Sequence, residues 1–258
     1  MTEEALKATV DEMVMLATVM KGMVKGVVQV EDMMFVQMAT EGLSKLVGRS
    51  ERVRVGDAGS KGRGVFATRA VSIGEVLTMY PADFARVTDG GSRAEELHAR
   101  AAIVETYQRR GLNRYLQFLR RDGTGRLYEI GGDPDAPFDA GACGHMINDP
   151  HPDPTTIEAA PKDGAAYGRG MLEYTMRAHG GTNCALRPHR GVCVFVVATR
   201  DIAEGEELQT PYGYDYWSHA VDGVSKLEEY MATVGEEEKR LACRVMQPHL
   251  RMLGGESG

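Results

Sequence analysis

Leu6, Val10, Met13, Ala17, Met20, Val24 and Val27 step alternately by four and three positions. That spacing places them on one stripe of a helix. Residues 1–50 therefore read as a helical segment, interrupted at Gly22 and Gly26 at about 1 kcal/mol each relative to Ala, with a second helix expected over Asp32 to Val47. From Val53 the pattern changes to short β-rich runs between glycine-containing turns: Arg52–Val55, Val65–Ala67, Val76–Tyr80, Leu127–Ile130, Val192–Ala198 and Glu207–Thr210. A helical stretch is expected from Arg93 to Leu119, with Leu97, Val104, Leu112, Leu116 and Leu119 as core positions. Residues 150–182 are rich in Pro, Gly and Ala without a clear period. They read as a long loop or irregular insertion, which inside a compact domain is often functional. The chain reads as helical again from Val224 to Met246, where Glu236, Glu237 and Glu238 suit the positive end of a helix.

One internal echo stands out. Ala67-Thr68-Arg69-Ala70-Val71-Ser72-Ile73-Gly74-Glu75 resembles Ala198-Thr199-Arg200-Asp201-Ile202-Ala203-Glu204-Gly205-Glu206. Each copy follows an apolar run and leads into another, as in a strand, a turn closed by glycine and a returning strand. Two copies are too few for a solenoid and predict two similar β units in one core.

Composition narrows the class. The 258 residues suit one large domain with appendages, and 43% hydrophobic with 26% charged residues excludes global disorder. A formal charge of −7 argues against a dedicated nucleic-acid binder and is compatible with a basic protein partner. The four cysteines, at 143, 184, 193 and 243, form no CxxC pair. A reducing, intracellular compartment is the default, nuclear or cytoplasmic, with no metal site expected. No apolar run approaches a membrane span, and Glu3 and Glu4 stand where a signal peptide is basic. Eight of the 15 methionines precede residue 39. They suit an adaptable packing surface, or a homodimer interface through the N-terminal helices.

Three motifs carry candidate chemistry. Lys61-Gly62-Arg63-Gly64-Val65-Phe66-Ala67 fits the GxGxxA dinucleotide fingerprint, but that motif needs a helix directly after it, and here a turn and a strand follow. The glycines permit either a tight turn or close approach of a ligand to the backbone. Gly144-His145-Met146-Ile147-Asn148-Asp149-Pro150 gathers polar groups in what reads alternatively as an Asx-type turn. Gly205-Glu206-Glu207-Leu208-Gln209-Thr210-Pro211-Tyr212-Gly213-Tyr214-Asp215-Tyr216-Trp217 places three tyrosines and the sole tryptophan within six residues. These rings suit a core boundary or an aromatic-walled site.

In this order the three motifs resemble the SET-domain protein lysine methyltransferases, across residues 51–217 with gaps at about 81–125 and 150–182. KGRGVFAT…SIGEVLTMY and TNCALRPHRGVCVFVVATRDIAEGEELQTPYGYDYW carry most of the resemblance. It implies an α+β, β-rich SET fold of small curled sheets with a C-terminal knot-like threading. The expected layout is a helical segment over 1–50, the SET domain over 51–217 with helical insertion, and a helical tail over 218–258. By the same resemblance, Lys61, Gly62, Arg63, Gly64, Asn148, Asp149, Tyr216 and Trp217 would hold S-adenosylmethionine. Tyr212 would be the catalytic tyrosine, and Tyr80, Thr210 and Tyr214 would line the lysine channel. Asp149 departs from the family's histidine. The family's second asparagine corresponds to Asn183, displaced by the 150–182 insertion.

The implied activity is methyl transfer to lysine of a protein, histone being the first guess, with no direct nucleic-acid or membrane partner. The alternative is a catalytically weak SET module that binds a protein. Asp149 and the displaced Asn183 favour that alternative, and the intact GEEL-to-Tyr212 motif favours the enzyme. The reaction needs a neutral amine, and at a lysine pKa of about 10.4 deprotonation at pH 7 costs roughly 4–5 kcal/mol. A narrow, desolvating aromatic channel lowers that pKa.

Overall fold

The structure, a computed structural model, describes residues 3–5, 7–11, 28–48, 51–88, 116–120, 127–133, 135, 139–151, 164–189 and 193–214, together with 232, 235, 236 and 240. Most of the first apolar seam, the Arg93–Leu112 part of the expected helix, Tyr216, Trp217 and most of the expected tail helix lie outside those residues. The chain divides into two compact units, Met1–Asn148 with Asn183–Leu208, and Asp149–Thr182 with Gln209–Gly258.

In the first unit, residues 3–5 and 7–11 are helical, and helix α1 follows over Val28–Gly48. Strands β1 (Val53–Asp57) and β2 (Arg63–Ala67) form an antiparallel hairpin in register from Val53↔Ala67 to Asp57↔Arg63. Strands β3 (Val76–Met79), β7 (Cys184–His189) and β8 (Cys193–Ala198) form an antiparallel sheet in the order β3-β8-β7. Strands β4 (Phe84–Thr88), β5 (Leu116–Arg120) and β6 (Leu127–Gly131) form a second antiparallel sheet in the order β4-β6-β5. The all-apolar CVFVVA of β8 is buried along its whole length. A continuous apolar run fits a strand covered on both faces.

One face of β3 and β8 meets α1. Ala39, Leu43 and Val47 pack with Val76, Met79, Phe195 and Val197, and Val10 joins the same cluster. The second half of α1 therefore completes a core of its own chain. Gly141 lets helix and loop approach this closely, because a Cβ there would run into the Ser44 carbonyl. The opposite face carries a second core, in which Val53, Val65, Ala67 and Val71 meet Leu77, Ile147, Val196, Ile202 and Leu208.

The sequence echo is a structural one. Val71 and Ile202 exchange both backbone hydrogen bonds at 2.9 Å. Gly74 N–H donates to Ala198 O at 2.9 Å while Gly205 N–H donates to Ala67 O at 2.8 Å. Ala67 N–H donates to Glu206 O at 2.9 Å while Ala198 N–H donates to Glu75 O at 3.0 Å. Each turn is closed by its own ion pair, Arg69 to Glu75 at 2.9 Å and Arg200 to Glu206 at 2.6 Å. Gly74 and Gly205 adopt φ of 83° and 79°, the left-handed region open to glycine at little cost. The two segments thus pair with each other, locking the start of the chain's β region to its end.

In the second unit the chain forms helix α2, Gly164–Gly181. The expectation of a loop or irregular insertion over 150–182 is corrected for Gly164–Gly181. Tyr167, Met171, Tyr174 and Ala178 are buried and step by four, three and four, one helix face. The intervening glycines dilute that period in the sequence and lower helix propensity, and tertiary packing overrides both. The expected helix to Leu119 is corrected as well, since Leu116–Arg120 is strand β5, paired with β6. Ladder partners distant in sequence decide that short run. Glu207–Thr210 forms no ladder strand, and Glu207 makes an isolated antiparallel bridge to Phe66. Among the described residues no helix is long and apolar enough to cross a membrane.

Candidate active site

In the first unit the Lys61–Gly64 segment closes the β1–β2 hairpin after a short 3-10 turn over Gly59–Lys61. Ala58 N–H donates to Gly62 O at 2.6 Å, and Gly62 N–H to Gly59 O at 3.0 Å. The two glycines of the motif have different physical roles. Gly62, at φ 78°, is exposed, and a Cβ added to it would meet nothing within 4 Å. The space on its Cβ side is open, while its own N–H and carbonyl are engaged within the turn. Gly64 is buried, and a Cβ there would stand 2.7 Å from Glu207 Oε1, 2.9 Å from Asn148 Nδ2 and 3.0 Å from Ala58 Cβ. It exists so that three segments can converge.

Asn148 Nδ2 donates to Arg63 O at 3.1 Å and to Glu207 Oε1 at 2.8 Å. Asn183, 1% exposed, donates to Glu207 O at 2.8 Å and to Glu206 Oε1 at 3.1 Å. Two asparagines and the glycine turn are therefore brought to one short stretch, Glu206–Glu207. Tyr80 is buried, its N–H donating to Val194 O at 2.9 Å and its ring edge-on to His145 at 6.3 Å. Burial lowers the His145 pKa, so the imidazole is neutral at pH 7. Cys143, Cys184 and Cys193 are buried free thiols. Burial pushes Cys143 and Cys193 up to about 12, holding them protonated and unreactive. Among the described residues no three His, Cys, Asp or Glu side chains converge as metal ligands.

In the second unit Asp149, Thr210, Tyr212 and Tyr214 are found with residues that sequence reasoning did not single out. Asp149 is 4% exposed. Its carboxylate accepts from the Tyr212 N–H at 2.8 Å, from the His151 N–H at 2.7 Å and from the Tyr174 hydroxyl. The Tyr174 oxygen accepts in turn from the Gly213 N–H at 3.0 Å. Burial, followed by the Asp149 charge, raises the Tyr174 pKa far above that of an ordinary phenol, so it remains a donor. Tyr214 is buried edge-on to Tyr167 at 5.0 Å and tilted against Tyr174 at 6.2 Å. Its hydroxyl has no hydrogen-bond partner among the described residues. Thr210 is buried. Tyr174 and His151 were missed because they lie in the stretch read as irregular. The step from Tyr167 through Met171 to Tyr174 is the signal that exposes the helix.

The SET domain family model matches residues 62–213, more than half of the chain. No curated protein matches. Among solved structures, CpSET8 from Cryptosporidium is similar at 18% identity and a TM-score of 0.38, covering 62% of this chain and 57% of that one. ATXR5, solved in complex with histone H3.1, is similar at 20% identity and a TM-score of 0.38, covering 69% of this chain and 64% of that one. The chain thus spans about three fifths of the length of these structures. The β-rich α+β fold, the paired ATR-to-GE turns and the family match agree, and the chain belongs to the SET-domain family.

Proposed function

We propose that this chain transfers a methyl group from S-adenosylmethionine to the side-chain amine of a lysine in a protein, with histone as the first substrate to test. The observation that carries this reading is the intact Gly205-Glu206-Glu207-Leu208 to Tyr212 motif in a SET domain, with the Tyr212 N–H held on a buried carboxylate. Lys61, Gly62, Arg63, Gly64, Asn148, Asp149, Tyr216 and Trp217 are the residues assigned to the cofactor, and the open space on the Cβ side of the exposed Gly62 supports that assignment. The cofactor supplies a methyl sulfonium that is already activated, and no metal is called for. Tyr212 orients the amine through its phenol oxygen and is not assigned as a base, because a phenol of pKa about 10 is protonated at neutral pH. Tyr80, Thr210 and Tyr214 exclude water from the amine, favouring its neutral form. Alignment then supplies most of the rate.

Incubation of the full chain with tritiated S-adenosylmethionine and core histones tests the reading. Label on lysine is the expected result. Calorimetry with S-adenosylhomocysteine after chelation should give unchanged affinity. Absence of both binding and label would overturn the reading, whereas binding without label to histones or to proteins of a cell extract would favour the catalytically weak module that Asp149 suggests.

A further inference from the structure

Asp149 and Tyr174 are 4% and 3% exposed, and each is held by the other and by main chain. Asp149 Oδ1 accepts from the His151 N–H. Oδ2 accepts from both the Tyr212 N–H and the Tyr174 hydroxyl. The Tyr174 hydroxyl then accepts from the Gly213 N–H. Two consecutive amides of the tyrosine-bearing segment are therefore satisfied by two side chains, one of which projects from α2. A carboxylate has four lone-pair sites and can accept all three donors, whereas a neutral imidazole accepts at a single nitrogen. The aspartate at 149 and the tyrosine at 174 thus form one chemical unit. The Tyr174 ring is fixed by stacking on His151 at 5.7 Å with an interplanar angle of 22°.

We infer that Asp149 and Tyr174 are positioning residues for Tyr212, and that α2 serves the reaction by fixing the Tyr212–Gly213 main chain. This rests on the proposed role of Tyr212. An oxygen that must orient an amine for in-line transfer tolerates little displacement, and a shift of about 1 Å costs on the order of 10²-fold in rate. Main-chain restraint of Tyr212 therefore acts on turnover rather than on the fold as a whole.

Tyr174→Phe and Asp149→Asn in the full chain test the pair, with two readouts. The first is amide hydrogen exchange at Tyr212 and Gly213, compared with β8 amides at Val194–Val197. The second is methyl transfer to core histones, resolved into kcat and KM. In both variants exchange at Tyr212 and Gly213 should rise at least tenfold, with the β8 amides unchanged. The kcat should fall ten- to a hundredfold in both, with KM within about twofold, and in Tyr174→Phe, whose side chain is not assigned to the cofactor, the affinity for S-adenosylhomocysteine should stay within about twofold. Unchanged exchange at Tyr212 and Gly213 in a folded Tyr174→Phe chain would overturn the inference, as would faster exchange with wild-type kcat. If one variant fails to fold, the other decides. Should wild type transfer no methyl to histones, the proposed histone activity fails by itself, and the exchange readout still decides whether the pair restrains this segment.

Discussion

Asn148 and Asn183, separated in sequence by the whole 149–182 segment, meet at Glu207, one donating to its carboxylate and the other to its carbonyl. The two asparagines thus converge on one residue despite the segment between them. Asn183 is almost fully buried, so its removal takes away the hydrogen bonds that it donates to the Glu207 carbonyl and the Glu206 carboxylate. Asn183→Ala should destabilise the chain by about 1–3 kcal/mol, seen as a lower denaturation midpoint. A midpoint equal to wild type would show that the Glu206–Glu207 stretch is held by other contacts.

Tyr212→Phe should abolish most methyl transfer and leave cofactor binding nearly intact. Loss of one hydroxyl changes little volume, and the lost interaction belongs to the transition state, so rate falls more than affinity. Comparing kcat with the calorimetric affinity for S-adenosylhomocysteine checks this. Activity within twofold of wild type would refute the assignment.

Gly170→Ala should destabilise the protein, although alanine is favoured over glycine in a helix by about 1 kcal/mol. The added Cβ would fall on the Tyr214 hydroxyl, and that ring is pinned by Tyr167. Overpacking of this kind costs about 1–3 kcal/mol, which outweighs the propensity gain. A melting temperature at or above wild type would contradict the close approach.

Glu75 holds the first echo turn by accepting from Arg69 at 2.9 Å, from Arg52 at 3.1 Å and from the Ser72 N–H at 2.9 Å. The Arg69 hydrogen bond, then Ser72 and Arg52, lower its pKa to about 2, below the ordinary 4.5. A depressed carboxylate stabilises the fold above its unfolded pKa and loses that contribution as pH falls from about 4.5 to about 2. The side chain is a quarter exposed, and solvent screening limits the effect to about 1 kcal/mol. Glu75→Gln should lower stability at pH 7, with the difference from wild type closing towards pH 2. A difference independent of pH in denaturant titrations would sink this account.

Thr210 stands two positions before Tyr212, where many relatives by resemblance carry Phe or Tyr, and it is buried. On the proposed assignment of Thr210 to the lysine channel, a threonine leaves room for a methylated amine to realign. Product should therefore proceed beyond monomethyl-lysine, and Thr210→Tyr should stop it earlier. Mass spectrometry at long times with excess cofactor checks this, and monomethyl-lysine alone from wild type would defeat it.

Local pattern determined much of this protein. The apolar runs around Val65, Val76 and Cys193–Ala198 became strands because short β-branched segments between glycine turns have few other uses. The ATR-to-GE echo was legible as two like turns, since Arg, Gly and Glu at fixed offsets close such a turn by themselves. The SET motifs around Gly62–Gly64, Asn148 and Tyr212 were legible in order and spacing. Tertiary structure decided what depends on partners far away in sequence. It made Leu116–Arg120 a strand by pairing it with β6, and it turned the glycine-diluted 164–181 stretch into a helix by burying Tyr167, Met171, Tyr174 and Ala178. It also paired the two echo turns with each other. Above all it gave Asp149 its partners. An aspartate in place of histidine reads as a lost function along the chain, and only the folded molecule brings the Tyr174 hydroxyl and the Tyr212 amide to its carboxylate.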